Sequence, residues 1–165
     1  MDAPVNNSRL QHQPRELFMT SEYLQSKGWF GSSTINARLG QLQTDIALEG
    51  LSDAEKLALS VNNRFADFLH IDDQTVTIGE CKIVPRIGPI EALLIYRNLF
   101  LSDPAYRAHW RKRIQLQFVY AVPDPALNVV AALNGVRPIH YATHWLNEYL
   151  TSRRPRDRRA PRAGS

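Results

Sequence analysis

Residues 76–84 read VTIGECKIV, an apolar run suited to a strand buried on both sides, interrupted by Glu80 and Lys82. Side chains two apart on a strand share a face, so this carboxylate and this ammonium stand side by side. Asp67 lies in a second strand-like run, RFADFLHI (64–71), with twelve residues between it and Glu80. Asp72, Asp73 and Gln74 are turn formers, and a hairpin closed there brings Asp67 and Glu80 to the same end of two neighbouring strands. Two close carboxylates repel and call for a cation between them, and their hard oxygens suit Mg²⁺ or Mn²⁺. Lys82 supplies what a hydrolytic site still lacks. It can orient or deprotonate an attacking water, or stabilise charge developing on phosphate oxygens.

The choice of lysine is itself informative. Of 20 basic residues only four are Lys (27, 56, 82 and 112), and a buried Lys can change its protonation state where an Arg does not. Structural readings stand beside the chemical ones. Glu80 and Lys82 can form an ion pair, although buried pairs seldom stabilise a fold relative to apolar replacements. Asp67 can cap a strand end, and Asp72 and Asp73 serve the turn. Cys81 points away from Glu80 and Lys82 and suits a small core position better than a nucleophile. His140 and His144 have metal-binding spacing but straddle a strand end and a helix start with no third ligand nearby, which argues against zinc.

The elements that position these residues follow from period and punctuation. Pro14 as a first helical residue and Gly28 after the last predict a helix over 14–27, with Trp29 and Phe30 anchoring its end and packing as its role. Ser32 or Ser33 then caps a predicted helix whose stripe is Ile35, Leu39, Leu42 and Ile46. The next step of that stripe lands on Glu49, a carboxylate in an apolar position or a residue facing water, before Gly50 ends the helix. Ser52 and Glu55 form a capping box for a short helix to about Ser60. After the hairpin, Gly88 and Pro89 open a helix with Ile90, Leu93, Leu94 and Leu101 on one side and Arg97 within that stripe. The basic run 107–113 (RAHWRKR) precedes a strand over 114–122. Asp124 and Pro125 start a helix that Asn134 and Gly135 stop, and a strand, VRPIHY, and a helix, THWLNEYL, close the order. The pattern α, α, α, β, β, α, β, α, β, α predicts an α/β or mixed α+β protein with helices on both faces of a mixed sheet.

A chain of 165 residues, 44% hydrophobic, has room for one core. The expected division is a flexible segment over 1–13, one domain over 14–151 and a disordered basic tail over 152–165. That tail holds six Arg and one Asp, leaving 14 basic and 15 acidic residues elsewhere, so the net charge of +4 is a property of the tail. It can add sequence-independent affinity for phosphates, or act only as a solubilising end. One cysteine allows no internal disulfide, and no apolar run is long enough for a bilayer, so a cytoplasmic protein without membrane attachment is expected.

RFADFL followed by VTIGECK resembles the PD-(D/E)XK nuclease superfamily, in which an Asp at a strand end precedes (Asp or Glu)-x-Lys on the next strand. The resemblance spans roughly Ile35 to Val122. It implies a restriction-endonuclease-like central mixed β-sheet flanked by helices, and a metal-dependent DNA endonuclease of a phage, mobile-element, repair or restriction system that leaves a 5′-phosphate. By position it implies Asp67, Glu80 and Lys82 as catalytic residues, and Asp67, Glu80, Glu49 and the backbone carbonyl of Cys81 as Mg²⁺ or Mn²⁺ ligands. Arg97, Arg107, Arg111, Lys112 and Arg113 are the expected nucleic-acid contacts, and specificity is expected from a homodimer or a protein partner. Ala66 stands where the family often has Pro. The helix after Lys82 offers Glu91, Tyr96 and Arg97 where some members carry Gln and Tyr, and the extra strand of the family core is not evident in residues 52–63. A catalytically silent nucleic-acid-binding or assembly subunit of the same fold is the alternative, and a nuclease toxin a further one.

Overall fold

The structure, a computed structural model, describes residues 8–40, 52 and 64–152, with side chains from residue 15 onward apart from that of Arg64. It is an α/β protein built on one five-stranded open mixed sheet. The strands are β1 (Ser33–Leu39), β2 (Arg64–Ile71), β3 (Thr75–Lys82), β4 (Arg113–Tyr120) and β5 (Val136–His140). They lie in the sheet in chain order. β1, β2 and β3 are antiparallel, whereas β3, β4 and β5 are parallel.

The hairpin forms as its sequence predicts. The Asp72 carboxylate accepts the N–H groups of Gln74 and Thr75 at 2.8 and 2.7 Å, the side-chain-to-backbone turn that Asp favours. These contacts hold the exposed Asp72 carboxyl below its ordinary range. β3 and β4 are parallel, so the segment between them must return the chain to the starting end of the sheet, and α2 (Gly88–Ser102) does this. α3 (Pro125–Leu133) makes the same crossover from β4 to β5. Asp124 caps it by accepting the Leu127 N–H at 3.1 Å, Pro125 occupies its first turn, and Gly135 follows its end at φ 71°.

Two cores divide the faces of the sheet. α2 and α3 cover one, with Val76, Ile78, Leu93, Phe100, Leu116 and Ala131 packed together. α1 (Ser8–Ser26) and α4 (Leu146–Ser152) cover the other, where Met19, Tyr23 and Leu24 meet Phe68, Cys81, Val119, Trp145 and Tyr149.

Three expectations are corrected. Residues 33–39 form a strand, not the start of a helix. Ile35 and Leu39 are four apart, a spacing that a helix stripe and a strand face both satisfy, and pairing with β2 (Ile35 with Phe68, Ala37 with Ala66) decides between them. The continuation through Leu42, Ile46 and Glu49, and the helix from Ser52 to Ser60, lie outside the described residues apart from Ser52. α1 begins at Ser8, so Pro14 is interior and residues 8–13 belong to the helix. Proline's fixed φ is helical, so the helix continues across it at the cost of one N–H bond. On α2 the buried side is Ile90, Leu93, Tyr96 and Phe100, while Arg97 and Leu101 are exposed.

Candidate active site

The site forms where the sheet comes apart. β2 and β3 pair from Ile71–Val76 to Phe68–Gly79 and no further, so Asp67 and Glu80, next in register, flank an opening. On the other side of β2 the pairing with β1 skips Asn36 and Asp67, and Asn36 has a φ of 50°. Ile35 and Phe68 pack on the α1 side of the sheet, but Ala37, Leu39 and Ala66 join the core on the α2 side. The face presented by the strands therefore switches at Asp67, a local break of the kind that re-aims a side chain.

Asp67 uses this position to replace a ladder bond. Its Oδ2 accepts the Cys81 N–H at 2.7 Å, so a side chain satisfies a backbone donor that strand separation leaves open. In an extended residue N–H and C=O lie on the same edge, so the Cys81 carbonyl also faces this opening. The Cys81 thiol is fully buried on the α1 side. Burial and the nearby Asp67 carboxylate push its pKa well above the ordinary value, which removes it as a nucleophile.

Lys82 is the centre of the cluster. Its Nζ lies 3.3 Å from Glu16 Oε2, 3.7 Å from Glu80 Oε2 and 3.9 Å from Asp67 Oδ2. Burial alone would lower its pKa, but Asp67, Glu16 and Glu80 together outweigh burial and leave it raised. In this arrangement the group is an ammonium, suited to stabilising negative charge and positioning an oxygen rather than to removing a proton.

Glu80 is the most buried member, its side chain 7% exposed. Burial first, then repulsion from Asp67, push its pKa up to about 8; Lys82 and a hydrogen bond with Tyr96 pull the other way, and a hydrogen bond with Asp67 favours the protonated form. Tyr96 thus reaches the cluster from α2.

Glu16 is the residue that sequence reasoning missed. It stands on α1, in a helix read as packing only, yet its two carboxylate oxygens meet Lys82 Nζ and, at 3.5 Å, the N–H of Ile83. It lies three and four residues before the buried Met19 and Thr20, on the side of the helix that packs against the sheet. The structure brings Asp67, Glu80, Lys82 and Cys81 together as expected, with Glu16 as the acid from a helix. Glu49 lies outside the described residues.

The basic run stands apart from this cluster. Thr75 is opposite Arg113 and Lys82 opposite Tyr120, so the run 107–113 is at the other end of β3, roughly 23 Å away at ~3.3 Å per residue. Lys112 there donates to the Asp72 backbone carbonyl. The two histidines separate: His140 Nε2 is 2.9 Å from the Ala121 carbonyl, whereas the exposed His144 sits by Glu22.

The donor chemistry suits a hard divalent cation. Three carboxyl groups, one of them the buried Glu80 that holds its proton to about pH 8, face one ammonium in a partly dry site. Among the described residues no group of three His, Cys, Asp or Glu side chains is gathered tightly enough to hold a metal by itself. Mg²⁺ does not require such a group, since it is commonly held by one or two carboxylates and keeps several waters. Asp67 and Glu80, with the Cys81 carbonyl, fit that demand. Comparison with protein-family models, with curated proteins and with solved structures gives no match.

Proposed function

We propose that this chain is a divalent-metal-dependent nuclease of the PD-(D/E)XK type, hydrolysing phosphodiester bonds in DNA with water as nucleophile. The observation that carries the reading is the gathering of Glu16, Asp67 and Glu80 around Lys82 at the separated end of β2 and β3. A mixed sheet with helices on both faces agrees with the restriction-endonuclease-like architecture that the sequence resembles. Asp67 and Glu80 would hold Mg²⁺ or Mn²⁺, with Glu16 in the role first assigned to Glu49. When bound, such a cation polarises the phosphate and lowers the pKa of a coordinated water. Lys82 carries a fixed positive charge to the phosphate oxygens, and Glu16 holds that ammonium and the start of the segment after β3. Tyr96 orients the Glu80 carboxyl from the opposite layer.

The contacts of Lys82 also favour a second reading. An ammonium already surrounded by three carboxyl groups is what a structural ion cluster in a silent, DNA-binding subunit would contain. Incubation of supercoiled and linear DNA with Mg²⁺, Mn²⁺ or EDTA separates the two. The nuclease reading expects metal-dependent cleavage that falls by about 100-fold or more in Lys82→Ala and in Asp67→Ala. Equal cleavage by the wild type and both folded variants would sink it.

A further inference from the structure

We infer that the exposed side of α2 and the segment after it form a phosphate-binding track, which leads away from the candidate active site and selects double-stranded DNA. This deepens the nuclease reading and rests on it for the position of the cut. Parallel β3 and β4 force α2 to run from the Lys82 end of the sheet to the Arg113 end. Arg86 stands just before this helix, Arg97 past its middle, and Arg107 and Arg111 beyond it, all exposed. None of these four guanidinium groups has an acidic partner among the described residues. Residues 86–113 contain six basic residues (86, 97, 107, 111, 112, 113) and two acidic ones (91, 103). Asp103 is buried and caps the turn at Ala105, so Glu91 is the only exposed acid along the path.

Unpaired, exposed guanidinium groups that follow one another along this path are suited to successive phosphates. The helix spans roughly 22 Å at ~1.5 Å per residue, which corresponds to about six or seven base pairs at ~3.4 Å each. Single-strand binding would call for exposed aromatic side chains on which bases stack. The exposed phenylalanines Phe18, Phe30 and Phe65 lie off this path, and the half-buried Tyr106 and Trp110 on it are already engaged, Tyr106 stacked on the Phe100 ring and the Trp110 indole N–H donating to the Phe100 carbonyl. The inner side of α2 buries Tyr96 and Phe100, leaving a surface that reads a backbone rather than bases.

The test uses the full chain and fluorescein-labelled random-sequence duplexes of 6, 10, 14 and 20 base pairs, with single strands of equal length. Anisotropy measured in Ca²⁺ across a salt series gives affinity and its salt slope, and cleavage in Mg²⁺ gives kcat and KM. Affinity is expected to rise at least tenfold between duplexes too short and long enough to reach Arg107, with single strands remaining weak. The triple variant Arg97→Ala/Arg107→Ala/Arg111→Ala should lose that rise and lower the salt slope by about two to three, raising KM and leaving kcat within about twofold. An unchanged slope in the variant, or equal binding of single strands, overturns the track. Loss of arginine-dependent binding affects this inference alone. Arginine-dependent binding without any cleavage keeps the track and overturns the nuclease reading.

Discussion

Lys82 meets three carboxylates within 4 Å, and the protonation of one of them sets a pH dependence. Glu80 keeps its proton in the folded protein up to about pH 8, first because it is buried and then because Asp67 repels its charge. The unfolded chain releases that proton near its ordinary value of 4.5. Between those values the folded state binds the extra proton, so metal-free stability falls as pH rises from about 4.5 to about 8 and levels off above. Urea unfolding at pH 5 and pH 8 should show the fall in the wild type and a much smaller one in Glu80→Gln. A second outcome concerns the helix acid: Glu16→Gln should lower metal-dependent cleavage by about tenfold or more, while Glu49→Gln stays near wild type, as measured by initial rates on linear DNA. The reverse ranking would return the role to Glu49. Asp67, Glu80 and Lys82 were legible because they lie on one local hairpin. Glu16 was not, because 51 and 66 residues separate it from Asp67 and Lys82, and no periodicity records that approach.

The hairpin depends on a close approach between its strands. Gly79 pairs with Phe68 across β2 and β3, and a Cβ at Gly79 would fall 2.0 Å from the Phe68 ring. The ring fills the space over the glycine and continues into contact with Tyr23 of α1, centroids 5.8 Å apart. Gly79→Ala should therefore destabilise by about 1–3 kcal/mol through forced repacking, read as a lower urea midpoint. Local chemistry made this element readable: period-two apolar residues on either side of an Asp-capped turn leave few alternatives. β1 was misread because its apolar spacing fits two geometries and its pairing partner lies almost thirty residues away. The edges of α2 were legible, but its buried side was not, because Tyr96 turns inward to Glu80 while Arg97 takes the solvent side.

At the scale of the whole molecule, α1 must be held against the sheet for Glu16 to reach Lys82. Tyr23 does part of this by donating its hydroxyl to the buried Gln117 side chain at 2.9 Å, and burial keeps that hydroxyl protonated by raising its pKa to about 12. Glu22 accepts the Trp145 indole N–H at 2.8 Å, tying α1 to the chain just before α4. Tyr23→Phe leaves Gln117 without this partner and should cost about 1–2 kcal/mol, measured by denaturant unfolding, with cleavage at saturating DNA little changed while the protein stays folded. No helix among the described residues is long and apolar enough to cross a membrane. By itself the sequence determined a mixed sheet with helices on both faces, the hairpin, the helices after it and the placing of Asp67, Glu80 and Lys82 on that hairpin, because each depends on short-range period, turn chemistry or capping. Tertiary structure alone decided that residues 33–39 pair as a strand, that Glu16 joins the site and that the basic run lies at the opposite end of the sheet. Those outcomes depend on which distant segments meet, and the energy that selects them comes from strand pairing, burial and charge between residues far apart in the chain.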